Sequence, residues 1–478
     1  MESVILPPPG LHDVIEKNLH DASDKSNRAR LASLSTTRDS SISWGRRHHH
    51  GSWLHSLGCA SIMAFCPLLV IFWWIALEQF EGSLYSTAMA MFTMGPVNFL
   101  WQYSPRGNMS TNIGYAMWLV FQAALYQFLP SKLNKGQLTP AGFLLEYRTN
   151  GLMAWIVTHA LFLITSYYGL LDPAILARHW EPLLVSVNIY GFFLSGFAYL
   201  KAHLNPTHEG DRKFSGSILY DMYMGIELNP RFGSYFDFKL FHNGRPGIIA
   251  WTLIDVSFVA YQYQTYGYIT NSILLSTFLH MLYVVDFFFN EDWYLRTIDI
   301  CHDHFGFYLA WGSIVWLPTM YTLQTQYLAR NPVDLSPLTA MTIFTLGVSG
   351  YVLFRSVNHQ KDIVRRTKGK CQLWGRPAEV MNVSYRTKDG KTHDSILLCS
   401  GWWGLARHVN YLGDLVLSYS MCAACGTDNL LPWTYAIFMT ILLIHRCWRD
   451  EERCSLKYGK GWDDYCKKVK WIIVPGLY

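Results

Sequence analysis

Long apolar segments recur along the whole of this 478-residue chain, and they limit its fold more than any other feature. A helix needs about 20 apolar residues to cross a bilayer. About ten segments approach that length, near residues 56–78, 112–130, 151–171, 181–201, 246–268, 272–289, 304–327, 336–355, 402–424 and 430–447. The sequence therefore predicts an all-α multi-pass membrane protein with about ten transmembrane helices. Residues 82–101 are also apolar, but their Gly, Pro and Asn content favours an interfacial or re-entrant segment.

Lysine and arginine residues are distributed unevenly between the loops. If the N-terminus is cytosolic, the cytosolic segments hold about 35 of the 39 Lys and Arg residues, whereas the opposite side holds Arg106, Arg178 and Arg330. This asymmetry is what the positive-inside rule requires. An even number of spans then places both termini in the cytosol, and the polar motifs described below face the same compartment.

Three regions are expected along the chain. Residues 1–53 are rich in Ser, Asp, Arg and His and predict a disordered cytosolic tail. Residues 54–355 carry membrane helices one to eight, and residues 356–478 form a C-terminal region with a cytosolic loop and helices nine and ten. In that loop, two β-rich runs flank Lys388–Lys391, whose Asp-Gly dipeptide predicts a small cytosolic hairpin.

Cysteine and histidine pairs give little support for a metal centre. Cys422 and Cys425 are the only close cysteine pair, and no second pair stands at zinc spacing. His302 and His304 would not share a helix face. We therefore predict no bound metal. The formal net charge of +5 is modest, and we predict no nucleic-acid partner.

Two polar clusters interrupt the apolar C-terminal part of the chain, at Gly401–Asp414 and at His445–Tyr465. Ionisable groups in or beside lipid are costly, so they normally face a partner, a cavity or a ligand. Cations recognise phosphates, and aromatic faces stack on flat rings. Lys361 and Arg365, four residues apart, add two cations to one face of a helix. The pattern indicates a site for a phosphorylated aromatic ligand.

A simpler interpretation assigns the same residues to the membrane surface. Arg407 and Arg449 would then be interfacial anchors that pair with Asp414 and Asp450, as is common at membrane boundaries. The cations near residue 361 would extend toward lipid headgroups. The spacing of these residues does not decide between the two interpretations.

Five stretches resemble the sterol reductases, the family of Δ14- and Δ7-sterol reductases that also includes the lamin B receptor. Gly401–Asp414 and Arg449–Tyr458 are similar to the C-terminal signature of the family, and Leu219–Arg231 is similar to its other signature. Phe236–Gly247 and Thr297–Gly306 resemble the branch that converts 7-dehydrocholesterol to cholesterol. The resemblance covers nearly all of the chain after the N-terminal tail.

The resemblance implies that NADPH is the cofactor. The chain has no Gly-x-Gly-x-x-Gly turn, so cations and aromatic side chains would replace the Rossmann site. Lys361 and Arg365 would hold the 2′-phosphate. Arg407 and His408 would be neighbours of the pyrophosphate or nicotinamide. The family's cofactor pattern maps onto Lys361, Arg365, Leu398, Trp403, Asn410, Tyr411, Asp450, Cys454, Ser455, Leu456, Lys457, Tyr458 and Tyr465.

Reduction of an isolated sterol double bond requires a buried proton donor. The alkene has no carbonyl to hold negative charge, so one carbon must be protonated before the other accepts hydride. Burial raises the pKa of a carboxyl group and lets it carry that proton. The candidates in the loop after residue 289 are Glu291, Asp299, Asp303 and Tyr294.

Other acids remain open as donors, and each also has a structural interpretation. Further candidates are Tyr220, Asp221, Tyr223, Glu227 and Asp414. Alternatively, the carboxylates form ion pairs or helix caps, for example Asp299 with Arg296 and Glu227 with Arg231. Several of these acids could meet the geometry required of a general acid.

The resemblance implies an endoplasmic-reticulum membrane enzyme that saturates the C7–C8 bond of a Δ5,7-sterol. The sterol would enter from the bilayer lipid, and a complex with other sterol-synthesis enzymes is a further partner to consider. The alternatives are a Δ14-sterol reductase of the same fold, a non-catalytic sterol-binding scaffold and an isoprenylcysteine methyltransferase-like enzyme. The partner of the sterol 3-hydroxyl, the oligomeric state and the glycosylation of Asn108 stay open.

Overall fold

A computed structural model describes residues 53–387 and 390–478, and the described chain is mostly helical. The predicted disordered tail, apart from Trp53, lies outside the described residues, as do Lys388 and Asp389 of the predicted turn.

The helices, α1 to α21, follow one another as Trp53–Gln79, Leu84–Met94, Pro96–Tyr103, Met109–Phe128, Gly151–Tyr167, Ile175–Arg178, Trp180–Leu204, Ile218–Met224, Phe238–His242, Ala250–Tyr266, Asn271–Phe289, Glu291–Tyr294, Ile298–Cys301, Phe307–Trp311, Leu317–Met320, Leu323–Arg330, Pro337–Arg366, Trp402–Leu405, Val409–Ala423, Thr434–Tyr458 and Lys460–Lys468. The strands, β1 to β8, are Lys132–Leu138, Leu144–Thr149, Arg231–Phe232, Phe236–Asp237, Gln372–Leu373, Arg376–Pro377, Val380–Arg386 and Thr392–Leu398.

Within residues 53–387 and 390–478, four helices are long and apolar enough to cross a membrane, namely α1, α7, α11 and α17. The shorter α5 is also apolar. Helices occupy all of the predicted spans, but several are interrupted. Residues 304–327 divide into α14, a π-helical turn at Gly312–Trp316, and α15, which has Pro318 in its first turn. Proline removes a backbone donor and π turns shift the hydrogen-bonding register, so apolar composition alone did not predict these breaks.

The predicted C-terminal hairpin is present as β7 and β8, paired in register from Val380–Leu398 to Arg386–Thr392. The described residues contain four two-stranded sheets, so three are present besides the one that the sequence predicted. The largest unpredicted one pairs β1 with β2. Its turn ends at Gly142, which has φ +97° and donates its N–H to the Thr139 carbonyl. This turn lacks the Asp-Gly dipeptide that made the other hairpin recognisable.

The apolar stretch 82–101 forms two short helices, α2 and α3. They are separated at Gly95, whose φ is +77°, and Pro96 opens the second helix at its first turn. Both features fit their positions, because glycine accepts positive φ and proline is tolerated where no intrahelical donor is needed.

The chain divides into two compact units. The main unit comprises residues 53–353 and Tyr411–Arg446, and the C-terminal unit comprises Phe354–Asn410 and Cys447–Tyr478. The division falls between Leu353 and Phe354, and residues 411–446 belong to the main unit. The functional regions 54–355 and 356–478 stay a prediction. The main core contains buried residues of α1, α7, α11 and α16, and a separate core around Trp462 lies in the C-terminal unit.

Two backbone segments of the main unit meet at a pair of glycines. A Cβ at Gly306 would lie 2.1 Å from the Gly225 nitrogen, and a Cβ at Gly225 would lie 2.3 Å from the Phe305 carbonyl carbon. The Phe305 N–H donates to the Glu227 carbonyl at 2.9 Å. This close approach joins the two stretches, Leu219–Arg231 and Thr297–Gly306, that resemble the sterol reductases.

We expect Gly306→Ala to lower the free energy of unfolding by about 2 kcal/mol or more, because the new methyl group meets backbone that cannot rotate away. Thermal unfolding of the purified protein in detergent measures the change. Gly196→Ala in α7 is the matched control, since a Cβ there meets nothing within 4 Å. Equal melting temperatures for the two variants would contradict the steric explanation.

Candidate active site

The Trp402–Trp403 pair is attached to the C-terminal end of α17. The backbone N–H of Trp402 donates to Gln360 Oε1 at 2.9 Å, and its indole N–H donates to Ser356 Oγ at 2.9 Å. The Trp403 indole donates to the Val357 carbonyl at 2.8 Å. The ammonium of Lys361 lies 3.9 Å from the centre of the Trp403 ring. A cation and an aromatic face of the predicted site therefore meet, as the sequence predicts.

Arg407 is held by the polypeptide itself. Its Nη1 donates to the Val469 carbonyl at 2.6 Å and to the Lys470 carbonyl at 3.1 Å, and Nη2 pairs with Glu451. Its backbone N–H donates to the Trp471 carbonyl. The side chain is 6% exposed. These contacts favour a structural role, and the predicted position beside the pyrophosphate stays a prediction.

Asp450 lies among several cations. Arg453 donates to it through Nε at 3.1 Å and also through Nη2, and His408 Nε2 lies 3.8 Å away. Burial opposes ionisation of Asp450, but Arg453, His408 and Lys361 together lower its pKa to about 2. Asp450 is therefore a carboxylate at neutral pH and fixes the direction of the arginine. The anchor interpretation paired Arg407 with Asp414, but Arg407 pairs with Glu451. It paired Arg449 with Asp450, and Arg453 is a partner of Asp450.

The hairpin brings an aromatic surface to the end of α20. The Lys457 ammonium lies 3.9 Å from the centre of the Tyr385 ring. The Tyr385 and Tyr458 rings pack edge to face, with their centres 6.0 Å apart. The charge of Arg365 acts on Tyr458, as does a hydrogen bond with Ser395. Strand β8, α17 and α20 thus contribute to one neighbourhood.

Other predicted cofactor residues form the packed interior of the C-terminal unit. Cys454 and Tyr465 are 6% and 4% exposed and belong to an apolar cluster with Cys399, Trp462 and Val469. Leu398 is also buried, and Leu456 is half-buried. These buried residues are suited to line or support the site, whereas Arg365 and Ser455 are exposed.

Asn410 carries the clearest unmet hydrogen-bonding group of this set. Its Nδ2 donates weakly to Asn358 Oδ1 at 3.5 Å, while its buried Oδ1 has no hydrogen-bond donor. Apart from Tyr411, which is the first residue of a main-unit segment, the predicted cofactor residues belong to the C-terminal unit.

In the main unit, Glu291 forms a buried ion pair. Its Oε1 accepts from Arg245 Nη1 at 2.5 Å and its Oε2 accepts from the Gly151 N–H at 2.8 Å. Arg245 also donates to Asn150 Oδ1 at 2.9 Å. Both charged side chains are almost completely buried, at 0% and 3% exposure. The pair connects α12 to the start of α5 and indicates a structural role for Glu291.

The loop from Asp299 to Asp303 is organised by Lys239, a residue that the sequence did not single out. The Lys239 ammonium donates to the carbonyls of Asp299, Ile300 and Asp303 at 2.9, 2.7 and 2.8 Å. Burial lowers the pKa of Lys239 to about 8, so it is still charged at neutral pH. All three ammonium hydrogens are therefore used to hold the loop.

The hydrogen bonding of Tyr294 differs from that of Asp299. Asp299 pairs with Arg446 at 2.7 Å. The Tyr294 hydroxyl accepts from Asn243 Nδ2 at 2.8 Å, which leaves its own proton available to a further acceptor. Burial raises the pKa of Tyr294 well above its ordinary value, so the phenol is neutral. Asp303 is 4% exposed.

The ion pairs offered as structural alternatives have other partners. Glu227 pairs with Lys201 at 3.0 Å rather than with Arg231. Arg231 instead binds Asp237 at 3.1 Å, and Arg296 lies near Asp292 rather than Asp299. Glu227 finds its partner 26 residues away, whereas Arg231 and Arg296 pair with carboxylates six and four residues away. Proximity in sequence alone therefore does not identify the partner.

The remaining carboxylates outside the loop have defined surroundings. Asp221 accepts from the Ser215 N–H at 3.0 and 3.2 Å, as a local cap does. Asp255 accepts from His280 Nδ1 at 3.0 Å and from the Thr325 hydroxyl at 2.6 Å, and all three are fully buried. The sequence analysis missed this group, although a lone Asp and a lone His in two apolar segments were a signal for it.

Comparison with known proteins identifies the family. Residues 55–478 match the Ergosterol biosynthesis ERG4/ERG24 family. The chain belongs to this family of sterol reductases. It is 46% identical over 461 residues to a protein named 7-dehydrocholesterol reductase from Xenopus laevis, with 92% of this chain and 98% of the relative covered.

Further relatives carry two names. A 7-dehydrocholesterol reductase of Danio rerio is 46% identical, covering 91% of this chain and 94% of the relative. A Delta(14)-sterol reductase of Methylotuvimicrobium alcaliphilum is 38% identical, covering 87% and 94%. These matches confirm the family expected from the sequence motifs, and they make the chain an oxidoreductase.

We expect Glu291→Gln to destabilise the protein by about 3 kcal/mol, because it leaves the buried Arg245 charge without its counter-ion. Thermal unfolding gives the stability, and turnover per folded molecule gives the activity. The folded fraction should keep its turnover. Glu209→Gln is the matched control, since Glu209 is 81% exposed in its pair with Arg212. Unchanged stability with lost turnover would instead identify Glu291 as a proton donor.

Proposed function

We propose that this chain uses NADPH to reduce the C7–C8 double bond of a Δ5,7-sterol, converting 7-dehydrocholesterol to cholesterol. The observation that carries the proposal is the 46% identity, over nearly the whole chain, to relatives named 7-dehydrocholesterol reductase. The identity to the relative named Delta(14)-sterol reductase is lower, at 38%.

The C-terminal unit has the chemistry that a phosphorylated dinucleotide requires. Lys361, Arg365 and Lys457 are cations beside the aromatic rings of Trp403 and Tyr458. Phosphates favour such cations, and flat bases favour such rings. When bound, NADPH supplies the hydride.

Some residues of the C-terminal unit would contact NADPH, and others would hold those residues in place. The exposed Arg365 and the half-buried Lys361 would bind the 2′-phosphate, and the unmet carbonyl oxygen of Asn410 would accept a hydrogen bond from the cofactor. The Asp450–Arg453 pair would keep the neighbouring cations in position. Arg407 would support the site indirectly, because it holds the backbone carbonyls of Val469 and Lys470.

Within the Glu291–Asp303 loop, Glu291 and Asp299 are each held by an arginine, Arg245 and Arg446. The proposed donors are Tyr294 and Asp303. The Tyr294 hydroxyl accepts from Asn243 and keeps its own proton for a further acceptor. Asp299 raises the pKa of Tyr294 and Arg446 lowers it, so Arg446 is the group that would stabilise the charge left after Tyr294 gives up a proton, against the larger opposing effect of Asp299.

The surroundings of the enzyme are part of the proposal. We infer about ten spans, both termini in the cytosol, location in the endoplasmic-reticulum membrane and entry of the sterol from the bilayer. The regions 1–53, 54–355 and 356–478 would then be a tail, a sterol-facing helical region and an NADPH-binding region. A complex with other sterol-synthesis enzymes is a further partner. The charge asymmetry between loops supports this orientation.

A Δ14-sterol reductase is the second candidate, because relatives with that name also cover most of the chain. Membranes containing the protein, incubated separately with a Δ5,7-diene and a Δ8,14-diene, distinguish the two by loss of diene absorbance. We expect loss of the Δ5,7-diene. A sterol-binding scaffold would oxidise no NADPH with either sterol.

Arg365→Ala should lower kcat/KM for NADPH by roughly 10- to 100-fold, because it removes a charge-assisted phosphate contact. The value for NADH, which lacks the 2′-phosphate, should change little. Steady-state kinetics with both cofactors measures the ratio. Arg366→Ala is the matched control, since Arg366 pairs with Asp362. Equal losses with NADPH and NADH would remove Arg365 from the phosphate site.

Tyr294→Phe should lower kcat by at least about 100-fold if Tyr294 donates the proton, while the KM for NADPH stays nearly constant. Asp303→Asn should have the larger effect if Asp303 is the donor. Single-turnover sterol reduction under saturating NADPH measures the chemical step. A kcat close to that of the wild type in both variants would overturn the assignment to this loop.

A further inference from the structure

A cavity of about 410 Å³ lies within the main unit, and none of the residues assigned to cofactor and proton transfer lines it. The end of α1 contributes Trp74 and Glu78 to its lining. The segment after α3 contributes Arg106, the end of α6 contributes Arg178, and the end of α16 contributes Arg330. Helices α1 and α7 are two of the candidate membrane spans, and Glu181 in the first turn of α7 also lines the cavity. The cavity therefore lies where spanning helices end.

The arginines of this cavity are the exceptions to the charge distribution of the chain. Arg106, Arg178 and Arg330 are the residues that the topology assigns to the side opposite the basic loops. All three line the same cavity. Cations on the side where the positive-inside rule disfavours them call for a specific reason.

Two buried donors at the cavity lack acceptors. Trp74 is 5% exposed and its indole N–H has no hydrogen-bond partner. The Nε–H of Arg330 is also buried without an acceptor, although the same guanidinium pairs with Glu78. An unmet buried donor costs about 1–3 kcal/mol, so a ligand oxygen there would be stabilised.

Arg178 and Glu181, which also line the cavity, are engaged by protein groups other than the side chain of Arg106. Arg178 is engaged by Asp172 at 2.9 Å and by Gln264 at 2.7 Å. Glu181 accepts the backbone N–H of Arg106 at 2.9 Å, so substitution of the Arg106 side chain would preserve that contact. The exposed Arg106 guanidinium forms no ion pair with any described residue.

We propose that this cavity binds a phosphate group, supplied by the headgroup of a membrane phospholipid or by free phosphate. Arg106 would provide the charge, and the N–H groups of Trp74 and Arg330 would donate to phosphate oxygens. Glu78 and Glu181 would lie beside the ammonium of a zwitterionic headgroup. The location at helix ends matches the depth at which headgroups lie.

Native mass spectrometry of the full chain in maltoside micelles tests the proposal. The protein is titrated with dioleoylphosphatidylcholine, with dioleoylglycerol as the phosphate-free lipid, and with inorganic phosphate. We expect phosphatidylcholine to bind more tightly than dioleoylglycerol. Arg106→Gln should raise its dissociation constant roughly tenfold. Trp74→Phe should weaken binding while keeping an aromatic ring, and Arg212→Gln is the control outside the cavity.

The titrations with phosphatidylcholine, dioleoylglycerol and inorganic phosphate distinguish the possible outcomes. Competition of inorganic phosphate with bound phosphatidylcholine supports a phosphate site filled by lipid. Phosphate binding that is sensitive to Arg106→Gln, without retained phospholipid, supports the same site filled from solution. Equal binding of phosphatidylcholine and dioleoylglycerol, or wild-type affinity in Arg106→Gln, overturns the proposal.

Discussion

Pairing of buried charges is the constraint on which the rest of the main unit depends. Lys201–Glu227, Arg231–Asp237 and Arg245–Glu291 are ion pairs whose side chains are at most 6% exposed. An isolated charge in an apolar interior is very costly, so removing one partner penalises the other. Each pair includes a residue at or next to a helix end: Lys201 near the end of α7, Asp237 just before α9 and Glu291 at the start of α12. Together the pairs set how the loops between apolar helices are arranged. Ion pairing also limits which acids can donate a proton, because the oxygens of a carboxylate such as Glu291 are already bound by an arginine.

Much of the helical framework could be predicted from apolar length, but the breaks within helices could not. The segment 304–327 has enough apolar residues for a span, yet π turns and Pro318 divide it. Whether a chain breaks at such a point depends on neighbours that satisfy the freed backbone groups. The hairpin β7–β8 was predictable because Asp-Gly favours a tight turn. Residues 139–143 connect β1 to β2 over the same length, but without an Asp-Gly dipeptide the local sequence carries little signal.

The cofactor residues illustrate a different limit. Their positions in the sequence predicted one neighbourhood, and the Lys361–Trp403 contact agrees with that. Burial could not be predicted in the same way. Tyr465 and Cys454 pack into an apolar cluster, while Arg407 binds backbone carbonyls, and no spacing distinguishes such supports from an exposed cation such as Arg365. Lys239 was missed because its role depends on three carbonyls some 60 residues away in sequence.

The break between α18 and α19 explains how the chain terminus becomes part of the C-terminal unit. Residues 406–408 leave the helix, so their N–H groups are not used within it. The N–H of Arg407 donates to the Trp471 carbonyl and that of His408 to the Ile472 carbonyl. The Tyr478 carbonyl in turn accepts from the N–H groups of residues 472–474. A continuous helix would have no donors for this segment. The interruption of the helix at residues 406–408, inside the predicted span 402–424, therefore connects the last residues to the Arg407 region.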